Sequence, residues 1–63
     1  MNFILFEKVD NYARITLNRP PLNIMNIEMM SEIGEALESL HNEDHVKLIV
    51  FNSACKVFSA GVD

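Results

Sequence analysis

The sequence lacks the features that usually stabilise a very small protein. Its 63 residues contain a single cysteine, Cys55, so no disulfide can form within the chain. One cysteine and two scattered histidines do not make a zinc site either. Both absences matter because a chain of this length is marginally stable on hydrophobic burial alone. The absence of disulfides fits a reducing compartment, and we expect a cytoplasmic protein.

Basic residues and long apolar runs are also scarce. Five lysines and arginines stand against nine acidic residues, which gives a net charge of −4 and no basic patch. This balance argues against a nucleic-acid-binding surface. No apolar run approaches the roughly 20 residues that cross a bilayer, and the apolar residues 1–6 are followed by Glu7 without the basic flank of a signal peptide. We therefore expect neither a nucleic-acid partner nor a membrane partner.

The residues that are present indicate a folded unit that begins with a β-hairpin. Hydrophobic residues make up 49% of the chain, which is too many for a disordered tail. Residues 3–9 are rich in Phe, Ile and Leu, and residues 12–17 alternate between apolar and polar types at the period of a half-buried strand. Between them, residues 10–11 (Asp-Asn) are a turn signal. The pattern predicts two antiparallel strands.

A helix and a further strand are predicted after the hairpin. The two prolines at 20–21 end the second strand. Asn26 is a suitable helix cap ahead of an acidic first turn. The main apolar stripe is Ile27, Met30, Ile33, Leu37 and Leu40, widened by Met29 and Ala36. It predicts an amphipathic helix of about four turns, with its glutamates on a solvated face. The apolar residues 46–51 are typical of a strand buried on both faces of a parallel sheet. This order predicts an α/β fold with one right-handed crossover.

The last six residues, 58–63 (Phe-Ser-Ala-Gly-Val-Asp), indicate a turn whose backbone can approach another molecule. Gly61 can adopt backbone angles closed to other residues, and Ser59 and Ala60 add almost no bulk. Asp63 is suited to the start of a following helix. An isolated Ser-Ala-Gly segment would be interpreted simply as a turn that ends a strand. The upstream sequence changes that interpretation.

Two motifs in a fixed order resemble a known family. Leu-Asn-Arg-Pro at 17–20 is followed by Leu-Asn at 22–23, and Val-Phe-Ser-Ala-Gly-Val-Asp stands at 57–63, beyond the predicted helix and strand. In order and spacing these pieces resemble the N-terminal part of the enoyl-CoA hydratase/isomerase (crotonase) superfamily over nearly the whole chain. The resemblance implies a hairpin, an amphipathic helix and a buried parallel strand from a crotonase-like ββα superhelix. It also implies that residues 1–63 are the N-terminal portion of a single domain, truncated at the C-terminus.

The spacing of the first motif departs from the commonest family pattern. Many members have one more residue in this turn, whereas here Pro21 alone separates Pro20 from Leu22. The shorter form, with Ile-Met-Asn at 24–26, resembles the cyclohexa-1,5-dienecarbonyl-CoA hydratase branch. That branch serves the anaerobic degradation of aromatic acids. The metabolism implied is therefore that of fatty acids or of aromatic acids.

The resemblance also implies a site. In this superfamily two backbone N–H groups form an oxyanion hole for the thioester carbonyl of an acyl-CoA, and by motif position Val62 supplies the first donor. A backbone donor needs only a tight turn beside small residues, which agrees with the sequence. By position, the CoA side would be lined by Pro21 and Leu22, and the adenine and pantetheine would lie near Ser59, Ala60 and Asp63. Coenzyme A would enter as part of the substrate, and we expect no separate cofactor and no metal.

The leading functional hypothesis is an enoyl-CoA or dienoyl-CoA hydratase of the lyase type. Its acid–base residues and second oxyanion donor would lie beyond Asp63, and the family implies a homotrimer or a hexamer. The alternatives are a non-catalytic CoA-binding or assembly module of the same fold, or another crotonase-type reaction such as isomerisation or hydrolysis. Residues 1–63 alone are expected to be inactive and poorly folded or associated, because they would expose a sheet edge and an apolar helix face.

Other conspicuous residues have structural interpretations. Arg19 is either a phosphate contact or a charge that pins a loop. The methionines near the helix start are interpreted as core residues. His41 and His45 flank the helix end, where a cation is favourable. Cys55 lies beside a lysine but has no evident partner base, which argues against a catalytic thiol.

Overall fold

The computed structural model of the chain describes residues 1–62, which form three strands and one helix. In chain order they are β1 (Ile4–Val9), β2 (Tyr12–Leu17), α1 (Ile27–Ser39) and β3 (Leu48–Ser53). The strands form one sheet of order β1-β2-β3, in which β1 and β2 are antiparallel and β2 and β3 are parallel. Helix α1 is the crossover between the parallel strands. The predicted α/β fold is confirmed.

The hairpin closes through a tight turn, and its second strand is the centre of the sheet. Val9 pairs with Tyr12 across residues 10–11, as the turn signal predicted. On the inner face of β2, Ala13, Ile15 and Leu17 are fully buried. The alternation in the sequence therefore identified the buried face correctly, because successive strand residues point to opposite sides of a sheet.

Helix α1 begins at its predicted cap. The Asn26 side-chain oxygen accepts a hydrogen bond from the Met29 N–H at 2.8 Å, so one of the otherwise unpaired first-turn donors is satisfied. Glu28 lies in the first turn, where its charge complements the helix dipole. The helix ends at Ser39, shortly before His41, which was predicted to flank the helix end.

The helix packs on the hairpin, but its buried face is rotated from the predicted one. The core is formed by Ile4, Ile15, Leu17, Met29 and Ala36. Three positions of the predicted apolar stripe, Ile27, Met30 and Leu37, are instead 82%, 40% and 39% exposed. The interpretation as a core residue is thus right for Met29 and wrong for Met30. The helix lies nearest to β1, which decides the face that it buries.

Glu32 is the clearest exception to the predicted solvated face of the helix. It is only 7% exposed, and its carboxylate accepts hydrogen bonds from the N–H groups of Phe3 at 2.8 Å and Asn2 at 3.0 Å. These N–H groups precede β1 and have no strand partner, so the carboxylate satisfies them. Burial alone would raise the pKa of Glu32, but the backbone donors outweigh that effect and the pKa is lowered.

Strand β3 is parallel to β2, as predicted, but the prediction that it is buried on both faces is wrong for the part of the chain described. Leu48, Ile49 and Phe51 are 60%, 39% and 45% exposed. Within residues 1–62 the strand is an edge strand paired only with β2. Helix α1 packs nearest to β1, which is the strand at the opposite edge of the sheet. An apolar run indicates that a strand favours burial but does not supply the element that covers it.

Replacing Glu32 tests the role of its carboxylate. The folded-state pKa lies below the ordinary value of about 4.3, so the stabilisation is present above that pH and is lost as pH falls through the folded pKa. Glu32→Gln should lower the free energy of unfolding at pH 7, because the amide keeps one acceptor oxygen and turns an NH2 donor towards the other backbone N–H. Urea unfolding of the intact protein that carries residues 1–63, at pH 7 and pH 3, should show a smaller loss of unfolding free energy on acidification in the variant than in the wild type.

The exposed Glu35 on the same helix provides the control. Glu35→Gln should leave both the free energy of unfolding and its pH dependence close to those of the wild type. Equal effects of the two substitutions would contradict a specific role for Glu32.

Candidate functional site

The loops that follow the two parallel strands lie side by side. Because β2 and β3 are parallel neighbours, their carboxyl ends reach the same edge of the sheet. The Ala60 N–H donates to the Leu22 carbonyl at 2.9 Å, and the Met25 N–H donates to the Gly61 carbonyl at 2.9 Å. Met25 and Val62 form an isolated parallel bridge. The fold thus brings together the two motifs that stand far apart in the sequence.

Asn23 is the residue that joins these loops through its side chain. It is fully buried, and its amide nitrogen donates to the Ser53 hydroxyl and to the Phe58 carbonyl, each at 2.9 Å. Its amide oxygen accepts from the Arg19 N–H at 2.7 Å and from the Cys55 thiol at 3.3 Å. One side chain therefore fixes the loop after β2 and the loop after β3 relative to each other.

The main chain of Asn23 extends the connection to the glycine turn. Its carbonyl accepts a hydrogen bond from the Ser59 hydroxyl at 2.8 Å, and the Ser59 hydroxyl accepts from the Gly61 N–H at 3.1 Å. Asn23 itself has a φ of 52°, a left-handed conformation that asparagine tolerates better than most residues. The Ser59 side chain is consequently directed to the protein and not to solvent.

The Val62 N–H is the donor that this arrangement leaves available. The N–H and carbonyl of one trans peptide point in opposite directions. Since the Gly61 carbonyl faces Met25, the Val62 N–H of the same peptide faces away from it. Within residues 1–62 this N–H donates to no acceptor. Gly61 has a φ of 116°, which glycine adopts readily, and a Cβ built there would have no atom within 4 Å.

An apolar cleft of about 600 Å³ lies beside the site, between the prolines and the loop after β3. Its lining residues are Pro20, Pro21, Leu22, Ala54, Cys55, Lys56 and Val57. A second cleft of about 610 Å³ is lined by Met1 and residues 4–7 and shares no residue with the turn. The cleft at the prolines contains two of the predicted CoA-side residues.

The predicted site residues are placed as follows. Pro21 and Leu22 line the cleft, and Ala60 is exposed with its N–H bound to Leu22. Ser59 is close to the turn, but its hydroxyl is engaged within the protein. Asp63 lies outside the described residues.

Arg19 stabilises the loop after β2. Its guanidinium donates to the Ile24 carbonyl at 2.6 Å and lies 5.6 Å from the centre of the Phe3 ring. These contacts support the interpretation as a charge that pins a loop. The thiol of Cys55 is likewise engaged with Asn23, in agreement with the argument against a catalytic thiol.

Asn23 and Ser53 are the residues of this site that the sequence analysis missed. Asn23 was recognised only as part of a motif, and Ser53 was not singled out. An asparagine directly after a Pro-Pro-Leu turn is a signal for positive φ and for local hydrogen bonding. No sequence signal indicated that its partners would lie 30 and 35 residues further along the chain.

Two kinds of site are not found in the described part of the chain. In residues 1–62 no group of three or more His, Cys, Asp and Glu side chains is placed to hold a metal ion. The same residues include no helix with the length and apolarity needed to cross a membrane.

Comparison with known proteins gives consistent matches. A family model described as enoyl-CoA hydratase/isomerase matches residues 7–63. A probable enoyl-CoA hydratase from Mycobacterium leprae is 46% identical over 59 residues, which cover 87% of this chain and 23% of the relative. A trans-2-decenoyl-[acyl-carrier-protein] isomerase from Streptococcus mutans is 38% identical over 61 residues, which cover 95% of this chain and 23% of the relative.

Solved structures give the same result. A probable enoyl-CoA hydratase from Mycobacterium smegmatis superposes with a TM-score of 0.90 at 38% identity, covering 100% of this chain and 26% of that one. The chain therefore spans about a quarter of the length of the relatives that it matches.

Removing the Asn23 side chain tests its structural role. Asn23→Ala would remove the four hydrogen bonds of a fully buried side chain, each of which contributes about 0.5–1.5 kcal/mol. We expect urea unfolding of the intact protein that carries residues 1–63 to show that the free energy of unfolding falls by at least about 2 kcal/mol. Asn23→Gly, which accepts the φ of 52° without strain, separates the hydrogen-bonding loss from the backbone effect. The exposed Asn42→Ala is the control, and an equal loss there would contradict the assignment.

Proposed function

The chain belongs to the enoyl-CoA hydratase/isomerase family, and from this membership we propose that it supplies the thioester-holding part of an enzyme acting on acyl-CoA. The observation that carries the proposal is the outward-facing Val62 N–H in a turn fixed on its other side by hydrogen bonds. The proposal extends to the domain: residues 1–63 form the N-terminal portion of one crotonase-like domain. Their coverage of about a quarter of each relative supports this assignment.

In the proposed mechanism the Val62 N–H donates to the thioester carbonyl oxygen. Negative charge develops on that oxygen when the thioester is converted to an enolate, and a donor already aimed at the oxygen stabilises the charge without reorganising. The space beside Gly61 allows the ligand to approach the backbone closely. A second donor and the carboxylates that act on water would come from the remainder of the domain.

The proposed path of CoA follows the apolar cleft. Pro21 and Leu22 offer an apolar wall for it. Ser59, Ala60 and Asp63 remain proposed neighbours of the adenine and pantetheine. Ser59 would contribute small size in that position, because its hydroxyl is bound to Asn23 and Gly61.

Hydration of an enoyl-CoA or dienoyl-CoA is the leading reaction. The relatives are named as hydratases, as isomerases and in one case as a hydrolase-like protein, so isomerisation and hydrolysis stand as alternatives that would use the same carbonyl contact. A non-catalytic CoA-binding module is the alternative of another class, and it would lack the downstream carboxylates. The trimeric or hexameric assembly and the inactivity of residues 1–63 alone stay predictions.

Substituting Val62 with proline tests the donor, since proline has no backbone N–H. In the intact protein that carries residues 1–63, Val62→Pro should lower kcat by about 10²–10³-fold against the enoyl-CoA ester that the wild type turns over best. Val62→Ala is the matched control because it keeps the N–H, and the Val62 residue is 69% exposed. We expect its kcat to stay within a few-fold of the wild type.

Two outcomes would contradict the proposal at different levels. Wild-type turnover by a folded Val62→Pro variant would remove Val62 from the mechanism. Failure of the intact wild type to bind any CoA thioester in a panel of enoyl and dienoyl esters, measured by calorimetry, would remove the acyl-CoA function altogether.

A further inference from the structure

We propose that Asn23 and Ser59 are positioning residues that set the direction of the Val62 N–H. This inference rests on the proposed function, in which that N–H holds the thioester oxygen. Neither side chain would touch the reacting atoms. They would act by fixing the orientation of the Gly61–Val62 peptide, which contains the Val62 N–H.

The Gly61–Val62 peptide is held by hydrogen bonds on both sides of Gly61. A planar peptide can rotate only about its two flanking bonds, so holding atoms on either side of it determines where its N–H points. The Gly61 carbonyl is held by the Met25 N–H at 2.9 Å, and the Gly61 N–H is held by the Ser59 hydroxyl at 3.1 Å. Glycine needs this support, because its own φ and ψ are less restricted than those of any other residue.

The Ser59 hydroxyl is bound in turn to the buried Asn23. A hydroxyl has one hydrogen to donate. The Asn23 carbonyl at 2.8 Å is a better acceptor for it than the Gly61 carbonyl at 3.4 Å. With its hydrogen directed to Asn23, the Ser59 oxygen presents a lone pair to the Gly61 N–H. The position of Asn23 therefore determines, through the Ser59 hydroxyl, where the Gly61 N–H is held.

Asn23 is itself held firmly by the residues around it. It is fully buried, and no buried side-chain nitrogen or oxygen in residues 1–62 lacks a hydrogen-bond partner. Four consecutive residues of the turn, 58–61, are each bound by residues 22–25, two of them by Asn23. A displacement of Asn23 would accordingly move the whole turn and not one contact.

Substitution of Ser59 tests the inference with little risk to folding. In the intact protein, Ser59→Ala should lower kcat about 10-fold or more, since a misplacement of about 1 Å can cost as much as 10²-fold. The Kd for the thioester should change less than about 3-fold, because the lost interaction acts mainly in the transition state. Ser59→Thr, which keeps a hydroxyl, should restore most of kcat. Ser39→Ala removes a hydroxyl that donates to the Ala36 carbonyl at 2.7 Å on the helix and should change neither value.

The carbonyl stretch of bound thioester gives a readout that a purely structural role would not move. An acyl-CoA labelled with ¹³C at the thioester carbonyl should show a lowered stretching frequency on the wild type, measured by isotope-edited infrared spectroscopy. In Ser59→Ala the frequency should return towards its value in water. Asn23→Asp, which loses both amide donors, should show the same change and provides a second variant if Ser59→Ala does not fold.

The outcomes separate this inference from the function on which it rests. A lowered frequency in the wild type that persists in both folded variants, with kcat unchanged, would overturn the positioning role and leave the Val62 contact intact. No lowering in the wild type would overturn the contact, and the positioning role with it.

Discussion

The hydrogen bonds of one buried amide, the side chain of Asn23, fix the loops at the sheet edge that holds the candidate site. The Asn23 side chain has no access to water, so its donors and its acceptor must find partners within the protein or destabilise it. The partners are the N–H of Arg19, the hydroxyl of Ser53, the thiol of Cys55 and the carbonyl of Phe58, which belong to the loop after β2, the last residue of β3 and the loop after β3. Satisfying one polar group thereby fixes the relative position of two chain segments.

The sheet makes this arrangement possible. Parallel pairing of β2 with β3 brings the ends of both strands to one edge, and the crossover helix fills the distance between them in the sequence. The inner face of β2, formed by Ala13, Ile15 and Leu17, supplies much of the buried surface. The chain thus separates its tasks: apolar burial holds the layers together, whereas hydrogen bonds shape the loops.

The sequence predicted the helix and the strands better than it predicted which of their side chains are buried. The alternation of residues 12–17 and the cap at Asn26 are local signals, and both were confirmed. The burial of β3 and the exposure of Glu32 were predicted wrongly, because each depends on an element distant in the sequence. The motif residues at 22–23 and 57–63 indicated the family, but the role of Asn23 was missed. Its contacts with Ser53, Phe58 and Ser59 span 30, 35 and 36 residues, beyond the reach of any periodicity.

The outward-facing N–H of Val62 has a consequence for how such a site is recognised. A main-chain donor is present in every amino acid except proline, so the side chain at this position carries almost no chemical information. The residues that determine the direction of this N–H are instead Gly61, whose backbone forms the turn, and Asn23 and Ser59, whose hydrogen bonds hold the turn in place. In the proposed site, selection would act most strictly on residues whose side chains never touch the reacting atoms. The position nearest to the chemistry would remain free to change with the acyl group.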